Sequence, residues 1–366
     1  MADPRHQTLA QILIRYSLST QPGDKLLISG PAAAAPLITE AYREGIRAGA
    51  HVMTRVLLPE LREIQLKESS DEQLTFISDL EKAEMEYVDS MLYIIADENT
   101  KSLNGVDPKR ISAQRAARRD LNARFDERAA AGELRWSLVL FPTQAHAQEA
   151  GMSLADYEDF VYNGCLLNEP DPVAAWKAVG QAQQRFADYL MQHDLIHIVA
   201  PETDIHYRTG GRKWINADGK VNFPDGEVFT APIEDSVNGT VRFTYPAIYG
   251  GNAVEDVRLT FVDGLVVEAS ATRGQDFLLA MLDTDEGARR LGEVAFGTNY
   301  GIQRFSGAML FDEKMGGTMH MALGAAYKQC GGLNESGIHW DMLCDLTQGK
   351  VYADGELCYE NGKFII

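Results

Sequence analysis

Cysteine is scarce. The 366 residues include four, Cys165, Cys330, Cys344 and Cys358, with no CxxC and no paired spacing. That argues against a disulfide framework and fits a reducing compartment. Positive charge is also short: 34 Lys and Arg against 53 Asp and Glu give a formal net charge of −19. An acidic surface repels polyanions, so neither nucleic acid nor an anionic membrane is expected as a partner. No apolar run approaches the roughly 20 residues of a membrane span. The N-terminal MADPRHQTLAQILIRYS has neither the long apolar core nor the small-residue cleavage pattern of a signal peptide. The stretch SGPAAAAPL after the first strand-like run lacks both GxGxxG and GxxxxGK[ST], so a nucleotide cofactor is not expected. There is no GxSxG, no HExxH, no internal repeat and no low-complexity tract. The expectation is a soluble, cytoplasmic protein.

What is present alternates. Leu9, Ile12, Leu13 and Tyr16 recur at helical spacing, and GDKLLISG after them is a short apolar run bounded by glycines. Residues 34–49 read as helix, 51–58 as strand, and MLYIIAD and WSLVLFPT as buried strands with helical segments between them. This predicts an α/β layer with a mainly parallel sheet. Residues 110–135 predict one amphipathic helix with seven arginines, interleaved with Asp120, Asp126, Glu127 and Glu133, which suits a solvated or subunit-contacting face. Residues 154–162 and 173–193 read as further helices, the second opening at Asp171-Pro172.

Near residue 200 the texture changes to turn-rich segments and alternating strands such as TVRFTYPAI and VRLTFVDGLVVEASA. Asp263-Gly264, Asp354-Gly355 and Asn361-Gly362 are hairpin signals. The boundary is expected at about 195–210. An N-terminal α/β domain would cover 1–200, and a C-terminal mixed, antiparallel-rich α+β domain 201–366.

Five residues of that second domain form a candidate metal set of three carboxylates and two imidazoles: Glu227, Glu293, His320, His339 and Asp341. In an extended His339-Trp340-Asp341 the imidazole and carboxylate share one face while Trp340 turns into packing, although H-x-D is common. Glu293 sits in the apolar run LGEVAFG, where burial would demand a cation, a metal or a proton; a salt bridge to Arg289 or Arg290 is the alternative. His320 lies between methionines. If the segment is helical, Tyr327 seven residues on shares its face; otherwise both are core residues. Glu227 follows the turn Pro224-Asp225-Gly226 and by itself reads as solvated. Together the set offers oxygen and nitrogen donors suited to zinc, cobalt or manganese, with enough carboxylates for one to bridge two ions.

The ordered motifs NFPDGEVFTAP, GEVAFGTNYGI, GTMHMALGAAY and GGLNESGIHWDM, with LAQILIRYSLSTQPGDKLLISG near the start, resemble the metallo-aminopeptidase family of aminopeptidase T and aminopeptidase S nearly end to end. The resemblance implies two divalent ions (zinc, cobalt or manganese) held by Glu227, Glu293, His320, His339 and Asp341. It places Tyr327, Glu293 and Glu227 in catalysis. Lys328 stands where many relatives have proline, which removes none of these residues. The family also implies a homodimer whose enclosed chamber restricts substrates to short peptides, from which a metal-activated water removes the N-terminal residue. A mononuclear iron(II) ring-cleaving dioxygenase using His320, His339 and Asp341, or an inactive binding protein, are the competing expectations.

Overall fold

The computed structural model describes residues 3–366, which fall into two compact units. Of the described residues, the first comprises 3–173 and 220–223. Its sheet runs in the order His51–Leu57, Lys25–Pro31, Ser90–Ile95, Arg135–Leu140, Asn222–Phe223, and every neighbouring pair is parallel. The central strands are near-continuous apolar runs because helices cover parallel sheets on both faces; the core residues Leu26, Leu27, Ile28, Leu92, Val139 and Leu140 come from them. The helices start where the sequence supplies caps. Asp107 accepts from the Lys109 N–H ahead of Pro108, and Ser70 and Ser78 each close a reciprocal capping box, with Gln73 and Glu81.

The arginine-rich stretch is not one helix. It breaks at Arg118 (φ −87°, ψ 2°) into Pro108–Ala117 and Arg119–Ala130, and Arg135 belongs to a strand. Three of its arginines are tied to neighbouring groups of the same unit. Arg118 pairs with Glu81 at 2.7 Å, Arg124 with Glu86 at 2.6 Å, and the buried Arg128 donates to the Val88 carbonyl at 2.9 Å. Those ties hold Arg119–Ala130 against helix Asp79–Tyr87 of the same unit.

The second unit, residues 174–219 and 224–366, is built on antiparallel strands. An eight-stranded sheet runs from Leu265–Ser270 through Val257–Val262, Asn238–Phe243, Thr203–Arg208, Leu195–Ala200, Lys350–Ala353 and Glu356–Glu360 to Lys363–Phe364. Three of its tight turns are the ones the dipeptides announce, with positive φ at both residues of Asp263-Gly264, Asp354-Gly355 and Asn361-Gly362. A five-stranded sheet has the order His339–Asp345, Thr318–Gly324, Leu291–Gly297, Glu227–Thr230, Ile215–Ala217. One hydrophobic core takes residues from both sheets, among them Ile198, Tyr207, Phe243 and Phe261 from the first and Val294, Phe296, Met321 and Trp340 from the second.

The division falls earlier than the change of texture near 200. Ala187 and Leu190 of helix Pro172–Leu190 enter the second unit's core, and Leu195–Ala200 pairs antiparallel with Thr203–Arg208 and Lys350–Ala353. Packing of the preceding helix and strand, not composition, sets the boundary. Among the described residues the four cysteines are buried, and no helix is long and apolar enough to cross a membrane.

Candidate metal centre

Antiparallel register assembles the candidate site on one face of the five-stranded sheet. Glu227 lies opposite Gly297, Ala295 opposite His320, Glu293 opposite Ala322, Ala322 opposite Asp341, and Gly324 opposite His339. Directly opposed residues share a face, so the five candidate ligands project from four adjacent strands. Among the positions between them on that face are Ala295 and Ala322, which are small, and Gly297 and Gly324, where the backbone carbonyls of Met315 and Ile338 pass 2.1 and 2.2 Å from where a Cβ would lie. The alternate residues, Val228, Val294, Phe296, Met319, Met321, Leu323, Trp340 and Met342, all belong to the hydrophobic core. Burying a tryptophan or several methionines on that side holds the polar face in register, since a one-residue slip would exchange the two faces.

Two local features refine the aim. The ladder between Leu291–Gly297 and Thr318–Gly324 shifts register between Leu291 and Glu293, so Leu291 enters the core while Glu293, two residues on, faces the site. Gly292 makes this bulge possible: a Cβ there would lie 2.2 Å from the Ala325 carbonyl oxygen and 2.4 Å from that of Gly324. His320 is in a strand, not a helix, and Tyr327 lies beyond the strand's end. The conditional helical pairing of the two is therefore wrong. Tyr327 reaches the site because the chain turns back, setting its ring 5.0 Å from that of His339 and 5.5 Å from that of Phe229.

The donors converge. Glu227, Glu293 and His320 form one group with ligand atoms within 4.8 Å of one another, Glu293, His339 and Asp341 a second, and Glu313, His320 and Asp341 a third. His320 Nε2 is 3.4 Å from Glu227 Oε2 and 3.7 Å from Glu293 Oε1. His339 Nε2 is 3.1 Å from Glu293 Oε2 and 3.5 Å from Asp341 Oδ1. Each imidazole donates Nδ1–H to a backbone carbonyl, His320 to Glu313 at 3.1 Å and His339 to Ala325 at 2.8 Å. A carbonyl can only accept, so in the neutral rings the lone pair sits on Nε2 and points into the site. Arg289 and Arg290 are engaged elsewhere, with Asp283 and the Glu234 carbonyl, rather than with Glu293.

The residues fit a divalent metal. Glu227 Oε2 and Asp341 Oδ1 are buried without a hydrogen-bond partner, and the 3.4 and 3.5 Å imidazole contacts are ion-pair distances, not hydrogen bonds. Such orphaned carboxylate oxygens are costly unless a cation meets them. Without metal, protons do part of that work. Burial opposes charge on the imidazoles, but contacts with Glu293 and the nearby Glu227 hold His320 at about 9, and contacts with Asp341 and Glu293 hold His339 at about 11. Burial dominates at Glu227, raising it to about 8 against the pull of Lys314. Burial also opposes ionisation of Glu293 and Asp341, yet the imidazoles bring both below the usual range. At Tyr327, desolvation and then the charges of Glu293 and Asp341 push the phenol above its ordinary value.

Three residues around the set, Glu313, Lys314 and Gly292, went unnoticed in the sequence. Lys314, 1 % exposed, reaches Glu227 at 2.6 Å, Glu313 at 2.7 Å and Asp225 at 3.5 Å. The segment FDEKMGG reads as a solvated turn, and nothing local marks it. Gly292 did carry a signal, because an isolated glycine in a strand pattern suggests a bulge or close backbone approach.

Known proteins match the chain over nearly its whole length. Residues 2–364 match the family described as thermophilic metalloprotease (M29). Aminopeptidase 2 of Geobacillus stearothermophilus is 31% identical over 389 residues, covering 95% of this chain and 94% of that protein. The structure of wild-type AmpT from Thermus thermophilus matches with a TM-score of 0.84 at 25% identity, covering 99% of each chain. A 2,5-dihydroxypyridine dioxygenase from Pseudomonas putida matches at a TM-score of 0.57 and 12% identity over 98% of this chain and 96% of that one, a likeness of fold alone. The chain belongs to the thermophilic metalloprotease family M29 and is a metal-dependent enzyme.

Proposed function

We propose that the enzyme is an aminopeptidase that removes the N-terminal residue from short peptides, and that it works with two divalent ions, zinc, cobalt or manganese. The observation that carries the count is the sharing of Glu293 between the groups Glu227–Glu293–His320 and Glu293–His339–Asp341. Glu293 turns Oε1 toward His320 and Oε2 toward His339, an arrangement suited to a bridging carboxylate. Charge supports the same number. Asp225, Glu227, Glu293, Glu313 and Asp341 against Lys314 leave four negative charges, the charge of two divalent ions.

Such ions supply a water ionised near neutral pH and polarise the scissile carbonyl. The side chains do the rest. Tyr327, a phenol whose ordinary pKa already keeps it protonated at neutral pH and whose surroundings raise it further, donates a hydrogen bond to the oxyanion that forms on that carbonyl. Glu227 or Glu293 relays the proton lost by the attacking water to the departing amine. A homodimer in the cytoplasm, expected from the resemblance, is part of this proposal; a monomer mass in sedimentation would remove it.

The test is metal content per chain with hydrolysis of a leucyl anilide, before and after chelation and readdition of zinc, cobalt or manganese. Two ions and chelator-sensitive hydrolysis are expected. One iron without hydrolysis would favour the oxygenase reading, and failure to bind any divalent ion an inactive binding role.

A further inference from the structure

Lys314 follows the short helix Met309–Asp312 and lies behind the candidate ligands. Burying an ammonium is favourable only when charged acceptors take its protons, and a well-packed apolar residue would often serve stability as well or better. Here three carboxylates surround it: Glu227 Oε1 at 2.6 Å, Glu313 Oε1 at 2.7 Å and Asp225 Oδ1 at 3.5 Å.

The two oxygens of Glu227 are not equivalent. Oε1 accepts a hydrogen bond from Lys314, whereas Oε2 is buried, unpartnered and 3.4 Å from His320 Nε2. The backbone of Glu227 is fixed as well, its carbonyl accepting from the buried Gln183 amide at 3.0 Å. The same ammonium holds the side chain of Glu313, whose backbone carbonyl orients His320 through Nδ1.

We propose that Lys314 is a positioning residue that holds Oε1 of Glu227 and so presents Oε2 alone to the ion of the Glu227–Glu293–His320 group. The inference rests on the two-ion reading above. Its sign separates positioning from charge balance. An ammonium repels a dication, so a lysine that merely balanced charge would, when removed, leave the ion bound more tightly. Removing a residue that orients a ligand instead weakens binding, by about 10–100-fold for partners of this kind.

Metal-free wild type, Lys314→Met and Lys314→Gln are titrated with zinc against a chromophoric chelator, with circular dichroism to establish folding. Lys314→Met is expected to lose about 10–100-fold at one of two sites and about threefold or less at the other. Lys314→Gln, which keeps an N–H donor without the charge, recovers part of the loss. Unchanged or tighter zinc binding in Lys314→Met overturns the inference. Should the variants not fold, a crystal structure of the zinc-loaded wild type decides: Glu227 bound through Oε2 with Oε1 on Lys314 supports it, and Glu227 bound through both oxygens overturns it. A wild type that binds one zinc or none overturns the two-ion reading itself, and the inference with it.

Discussion

Adding zinc back to chelator-stripped protein should release protons, and the site sets the number. Zinc ligands must be unprotonated. In the metal-free site His320 and His339 titrate at about 9 and about 11, so at pH 7 both carry a proton that binding expels. Glu227, at about 8, contributes most of a third, while Glu293 and Asp341 are lowered and already ionised. Side chains should therefore release about three protons per chain at pH 7 and about two near pH 8.5. Calorimetric titrations in buffers of different ionisation enthalpy measure this directly. Linkage fixes a companion effect. The folded pKa values of His320, His339 and Glu227 are all raised, so between about pH 6.5 and 9 the metal-free native state binds more protons than the unfolded chain. Its stability must fall as pH rises through that window, by at most about 1.4 kcal/mol per pH unit for each proton. Release below one proton at pH 7, or a metal-free Tm that climbs from pH 6.5 to 8.5, would refute the reasoning.

Replacing Tyr327 by Phe should lower kcat by about 10² or more with metal content unchanged, as when an oxyanion donor is removed; near-normal kcat would take Tyr327 out of the mechanism. Metal-depleted Glu293→Gln should not regain hydrolysis when cobalt or zinc is restored, and full recovery in the anilide assay would make Glu293 dispensable. Gly292→Ala must displace the Ala325 carbonyl, 2.2 Å from the new Cβ, and should cost about 1–3 kcal/mol in denaturant unfolding together with weakened metal uptake. Wild-type stability in that variant would show that the bulge is not what aims Glu293.

Much of the fold is legible because its signals are local. The dipeptides Asp263-Gly264, Asp354-Gly355 and Asn361-Gly362 need positive φ at both residues and form tight turns accordingly. In His339-Trp340-Asp341 the period of two is enough to send Trp340 into the core and the flanking pair to the other face. His320 was harder, because Met-His-Met-Ala-Leu-Gly fits a short buried strand and a helix alike. What decides is the ladder to Leu291–Gly297 and His339–Asp345, which is tertiary. Lys314 was illegible for the same reason. Its burial depends on Glu227, 87 residues earlier in the chain, and no window around Phe311-Asp312-Glu313 contains that information. The unit boundary at 173/174 likewise reflects which core the helix Pro172–Leu190 joins, and composition does not register that choice.

Antiparallel register over four strands has a kinetic consequence. Apart from His339 and Asp341, the candidate ligands lie far apart between Glu227 and Asp341, so the unfolded chain offers an ion a single adjacent pair. The full donor set exists only once Glu227–Thr230, Leu291–Gly297, Thr318–Gly324 and His339–Asp345 have zipped together. An ion that needs the full donor set should then join only after these strands have assembled. It should leave the rate of folding almost unchanged and act as a latch, lengthening the lifetime of the native state by slowing its unfolding.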